Sequence, residues 1–132
     1  MNLTVLKGLR NDIEIYRCRG LIDQTPRYQA YLSKANALKE KYKDLLLKGR
    51  FAYKDYFRCS NARVEARCFV NGNALAVVAT SEDPGIQMAV LTVPGYRFVE
   101  ASTLGNCYVF GKGNVVRLGK HSLAVLIYEK VN

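Results

Sequence analysis

Tryptophan is absent from this chain, and histidine occurs once, at His121. The missing tryptophan weakens the case for a sugar-stacking site, and the single histidine limits nucleophilic chemistry. A lone histidine in the turn Gly119–Ser122, with no acid beside it in sequence, reads as a surface residue. Cys–His and Ser–His mechanisms therefore lack their usual base. The four cysteines, at 18, 59, 68 and 107, show no Cys-x-x-Cys spacing, and one histidine cannot complete a finger-type zinc set. No metal or cofactor is expected. The cysteines read as free thiols, with a Cys59–Cys68 pairing left open. Carboxylates are scarce, 11 against 20 Lys and Arg, and most sit in turns or beside a base. The opposed pair of acids that glycoside hydrolysis needs is not visible, and no catalytic residue is assigned. No apolar run approaches the roughly 18 residues that cross a bilayer, so no membrane span is expected. Lys7, Arg10 and Asp12 interrupt any signal-peptide core near the start. If the parent protein is exported, its signal lies upstream.

What is present is a folded domain. The chain has 132 residues, of which 49% are hydrophobic. That is enough to bury a core and rules against disorder. The net charge is +9. Residues 1–66 hold 14 Lys/Arg against 7 Asp/Glu, whereas residues 67–132 hold 6 against 4. The excess lies in the helical first half, mixed with acids. It reads as a solvated face or one covered by an acidic partner, and nucleic acid is disfavoured.

The stretch Val64–Thr80, VEARCFVNGNALAVVAT, organises the rest. It reads strand, tight turn, strand, with Asn71-Gly72 as a type I′ turn. Folding there sets Cys68 opposite Leu75, Ala66 opposite Val77 and Val64 opposite Ala79. That face is almost wholly apolar. The other carries Glu65 and Arg67 but also Phe69, Ala76 and Val78, so it too is partly covered. Such a hairpin needs a second sheet, and the following fifty residues look like its source.

Before the hairpin, Thr25-Pro26 begins a helix, with Thr25 as N-cap and Pro26 at N1. The apolar spacing Tyr28, Tyr31, Leu32, Ala35, Leu38, Tyr42, Leu45, Leu46 follows a period of 3.6. A break is expected near Ser33–Asn36, and Gly49 closes the helix. Residues 1–25 stay ambiguous. Beyond Arg50 the period falls to two. Phe51–Arg58 reads as extended, followed by strands at Ile86–Val93, Tyr96–Ala101, Cys107–Phe110, Val115–Leu118 and Ser122–Val131. Seven to eight short strands at spacings near ten residues predict a mainly β fold, an antiparallel two-sheet β-sandwich preceded by an amphipathic helix. The division expected is a helical segment over 1–50 and a sandwich over 51–132.

Candidate contact residues are aromatic. Tyr28, Tyr31 and Tyr42 give the helix stripe a polar tinge that suits an interface with wet hydroxyls. Tyr53 and Tyr56, with Phe57, Tyr96 and Tyr108, could form a stacking platform, against which stands their use as core or cross-strand pairs. Gly111-Lys112-Gly113-Asn114 lacks Walker spacing and a following helix, so it reads as a hairpin turn and not a phosphate loop.

The order of parts resembles the end of a (β/α)8-barrel glycoside hydrolase of the α-galactosidase and α-amylase-like type, where the last barrel helix leads into a C-terminal β-sandwich. Asn36–Phe51, NALKEKYKDLLLKGRF, is similar to that helix and its exit. Val64–Thr80 and Val90–Tyr96, VLTVPGY, are similar to the sandwich strands. Arg10–Ile22, RNDIEIYRCRGLI, resembles the approach to the helix in bacterial members. The resemblance implies a non-catalytic accessory domain that braces a catalytic barrel, in cis or as a separate chain, with carbohydrate as an indirect partner. An oligomer through the exposed helix face is a further expectation. The alternative kept beside it is a free-standing module that binds glycan or nucleic acid through a basic and aromatic face.

Overall fold

A computed structural model describes Leu6 and residues 26–131. Helix α1 spans Pro26–Lys41 and a short α2 spans Lys43–Leu46. Nine strands follow: β1 Arg50–Phe51, β2 Arg58–Cys59, β3 Glu65–Asn71, β4 Ala74–Ser81, β5 Gln87–Thr92, β6 Tyr96–Leu104, β7 Cys107–Phe110, β8 Val115–Leu118 and β9 Ser122–Lys130. They form two antiparallel sheets. Sheet one has the order β1-β3-β4-β9-β6 and sheet two the order β2-β5-β8-β7. The expected β-sandwich with a preceding helix is the observed architecture, with nine strands in place of seven to eight.

Two cores hold it together. Between the sheets, Ala66, Cys68, Leu75, Val77 and Leu126 meet Ala89, Leu91, Val116 and Leu118. On the other side of sheet one, Ala35, Leu38, Tyr42, Leu45 and Leu46 of the helices pack on Phe69, Val78, Val125 and Ile127. Sheet one is thus covered on both faces. That explains why β4 and β9 read as unbroken apolar runs, ALAVVATS and SLAVLIYEK, buried at nearly every position. Strand β5 has one face in the core and one in water, so it alternates. The Tyr128 hydroxyl donates to the Gly113 carbonyl at 2.8 Å, and the Thr80 hydroxyl to that of Ser122 at 2.7 Å. Both residues are buried, so neither polar group is left unpaired.

Three local expectations change. The hairpin pairs Asn71 with Ala74, Cys68 with Val77 and Ala66 with Ala79. The tight turn therefore centres on Gly72-Asn73, and the pairing moves by two residues. Gly72 has φ +60 and Asn73 is not among the positive-φ residues, which is the type II′ pattern rather than I′. Asn71 instead donates from its side chain to the Asp44 carbonyl at 2.7 Å, tying the hairpin to α2. The helix breaks at Tyr42, the residue between α1 and α2, not at Ser33–Asn36. Phe51–Arg58 is not one extended run. Tyr53 has φ +54 and the Asp55 amide bonds the Ala52 carbonyl, so the segment turns and delivers β1 and β2 to different sheets. Gly49 does not close the helix as its C′ residue, since α2 ends at Leu46 with Leu47 as C-cap and Gly49 has no positive φ; it matters sterically, because a Cβ there would strike the Leu45 carbonyl oxygen. The Thr25 cap and the reading of Arg10–Ile22 lie outside the described residues.

Candidate functional site

The tyrosines singled out above do not converge. The Tyr28 side chain lies outside the described residues. Tyr31 is half-buried and its hydroxyl donates to the His121 carbonyl at 3.3 Å. Tyr42 is buried, with its hydroxyl 2.7 Å from the Ser102 hydroxyl. These belong to the seam between α1 and sheet one. Tyr53 and Tyr56 sit on the β1–β2 loop at another edge. The Tyr53 ring leans on Phe51 at 4.6 Å, and the Tyr56 hydroxyl accepts from Arg50 at 3.0 Å. Of the further platform candidates, Phe57 is core and Tyr96 packs edge-on against Tyr56.

The helix also turns its apolar stripe inward. Its exposed described positions are Ala30, Ser33, Lys34, Asn36, Ala37, Glu40 and Lys41. A wet, largely polar surface of this kind offers an oligomer little apolar area to bury.

Leu47, Tyr53, Ile86, Val99 and Val131 are exposed at other places, but four exposed hydrophobic residues gather on the outer face of sheet two. Alternation along β5, β7 and β8 sends Ala89, Leu91, Cys107, Val116 and Leu118 into the core. Their neighbours Met88, Val90, Tyr108, Phe110, Val115 and Arg117 therefore point outward. Met88, Val90, Tyr108 and Phe110 stand 46–55% exposed. The register sets Met88, Arg117 and Tyr108 in one row and Val90, Val115 and Phe110 in the next. The Tyr108 and Phe110 rings lie 6.2 Å apart at an interplanar angle of 23°, and the Arg117 guanidinium covers Tyr108 at 5.7 Å. Arg58 of β2 stands on the same face beside Thr92. The four strands carry no Asp or Glu.

Sequence reasoning reached Tyr108 but not its neighbours. The available signal was that QMAVLT and CYVF place apolar residues at both phases of the alternation. A strand with one wet face is expected to place polar residues there, so the excess makes this face a candidate contact surface.

No arrangement for nucleophilic or acid–base chemistry is visible among the described residues. His121 does have an acid partner, Glu82 at 2.7 Å, supplied by the turn after β4 and so invisible in the local sequence. The two serines nearest the pair in sequence or across the ladder are engaged elsewhere. The Ser122 hydroxyl donates to the Gly119 carbonyl at 2.6 Å, and the Ser81 hydroxyl accepts from the Asp83 amide. A hollow of about 440 Å³ between α1, α2 and the hairpin tip is lined by Lys41, Tyr42, Asp44, Leu45, Asn71 and Ala74. Its polar side chains are mostly tied up: Lys41 and Tyr42 on Ser102, and Asn71 on the Asp44 carbonyl. Cys59, Cys68 and Cys107 are free thiols, and Cys59 and Cys68 stand in different sheets. Burial pushes the Cys107 thiol up to about 12 and raises that of Cys68, which makes both poor nucleophiles. No group of three His, Cys, Asp or Glu among the described residues is placed to hold a metal ion.

No protein-family model matches this chain, and neither does a curated protein or a solved structure.

Proposed function

We propose that this chain is a non-catalytic accessory β-sandwich domain, of the kind that follows the last helix of a (β/α)8-barrel glycoside hydrolase, and that it acts by contact. The observation that carries this reading is the way the helix joins the sandwich. Helices α1 and α2 bury an apolar stripe on sheet one, and Gly49 hands the chain into β1 with no linker. A domain built so transmits the position of its helix to the whole sandwich. That suits a brace joined to a larger body through the chain itself; the expected apolar docking patch on α1 is not found among the described residues, where Leu38 and Tyr42 are buried and Tyr31 and Leu32 half-buried. The aromatic and arginine-bearing face of sheet two also supports the second reading, a free-standing binding module, because it is a solvent-facing aromatic row.

Activity separates accessory from enzyme. The purified chain is expected to turn over none of a panel of aryl glycosides. The native polypeptide, captured with an antibody against this domain, is expected to cleave at least one. Turnover by the isolated chain would overturn the reading.

A further inference from the structure

The outer face of sheet two has a chemistry that the brace does not use, and we infer that it binds an acidic polysaccharide, a chain of pyranoses bearing carboxylates. The inference rests on reading the chain as an accessory domain of a glycan-active enzyme. The Tyr108 and Phe110 rings lie nearly parallel on edge strand β7, about half exposed, and Val115, Val90 and Met88 extend the apolar floor across β8 and β5. This is a strip, not a pocket; Arg117 covers the Tyr108 ring, so the surface open to the C–H face of a sugar is that of Phe110 with Val90 and Met88. Arg117 is already held against Tyr108, and Arg58 stands at the other margin. Both guanidiniums offer forked donors matched to a carboxylate.

Charge selects among the occupants. A neutral glycan would find side-chain acceptors only in the Tyr108 and Thr92 hydroxyls and would leave the charge of both arginines unmatched, because the four strands supply no carboxylate. A second copy stacked on this face would set arginines against strands that carry no acid. Single-stranded nucleic acid would stack on the rings, but it brings a phosphate at every step and calls for a basic track along the strip. The outer positions of these four strands hold two cations, Arg58 and Arg117.

Affinity electrophoresis of the full chain in gels containing polygalacturonate, alginate or neutral galactan tests this, with titration of a labelled dT 12-mer in parallel. Expected are retardation by a polyuronate, none by galactan, weakening by salt, and at least a tenfold loss in both Phe110→Ala and Arg117→Gln. Tyr108→Ala serves as a third variant, and circular dichroism checks that each is folded. Three results would overturn the inference: no retardation by either polyuronate, equal retardation of the folded variants, or tight binding of the dT 12-mer alone. Loss of this inference leaves the accessory reading standing if the native polypeptide is large. Polyuronate binding by a native polypeptide of 14.8 kDa would remove the accessory reading and keep the face.

Discussion

Arg117 lies directly across the β7–β8 ladder from Tyr108 and covers its ring at 5.7 Å. The pair is solvent-facing, where a cation–π contact contributes about 0.5–1 kcal/mol. Arg117→Gln is expected to lower stability by about 0.5 kcal/mol in urea denaturation. Val90→Lys on the same face should change it by less than about 0.5 kcal/mol, because no core contact is lost. It should also reduce fluorescence of a bound apolar dye. A large destabilisation by Val90→Lys would mean that the face is part of the core.

Two glycines with similar backbones should respond differently. Gly72 has φ +60 with open space around its Cβ position, whereas Gly113 has φ +83 and a Cβ there would run into the Phe98 ring. Gly72→Ala is expected to cost about 1 kcal/mol, the strain of the left-handed backbone alone. Gly113→Ala adds overpacking and should cost roughly 2–4 kcal/mol. Equal costs in thermal melts would contradict the packing of Phe98 against the Gly111–Gly113 turn. Gly72→Val, with a β-branched side chain, should be worse than Gly72→Ala.

The helix layer is testable as part of the fold. Leu38 is 6% exposed and packs in the core shared with Phe69, Val78, Val125 and Ile127. Leu38→Ala should cost about 2–4 kcal/mol, as for any buried leucine. Lys34→Ala on the wet side should cost less than about 0.5 kcal/mol. A Leu38→Ala variant as stable as Lys34→Ala would detach the helix from the sandwich.

The thiols give a pH signature. Cys107 titrates near 12 when folded against 9.0 ordinarily, because burial opposes the thiolate. Between those values the native state holds a proton that the unfolded chain has lost. This contribution to stability is fully present below about pH 9 and is lost as pH rises toward 12. Cys68 and Tyr128 are raised for the same reason and act in the same direction. Cys107→Ala should flatten the alkaline decline by at most about 1.4 kcal/mol per pH unit. In the native protein a thiol reagent should label half-buried Cys59 well before Cys68 and Cys107, read by peptide mass spectrometry.

Much of the fold was legible because periodicity reports burial. Cys107–Phe110 and Val115–Leu118 appear with the bounds their alternation predicts. The hairpin register did not, since Asn71-Gly72 and Gly72-Asn73 are both good two-residue turns. The observed register frees the Asn71 side chain for a tertiary contact, the Asp44 carbonyl, that local sequence does not show. A shift of two leaves every side chain on its expected face, so the core assignment survived. The break at Tyr53 was hidden because an aromatic at positive φ has no local signal. The sheet-two face was hidden for another reason. Sequence shows that Met88, Val90, Tyr108 and Phe110 alternate with core residues, but not which sheet lacks a covering layer. Only the placement of α1 and α2 on sheet one decides that.

Membership of a larger catalytic body, as proposed for this domain, is tested by the size of the native polypeptide. An immunoblot of source cells with an antibody against residues 26–131 is expected to show a band several times larger than 14.8 kDa. A sole band at 14.8 kDa would contradict an accessory role and leave a free-standing binding module.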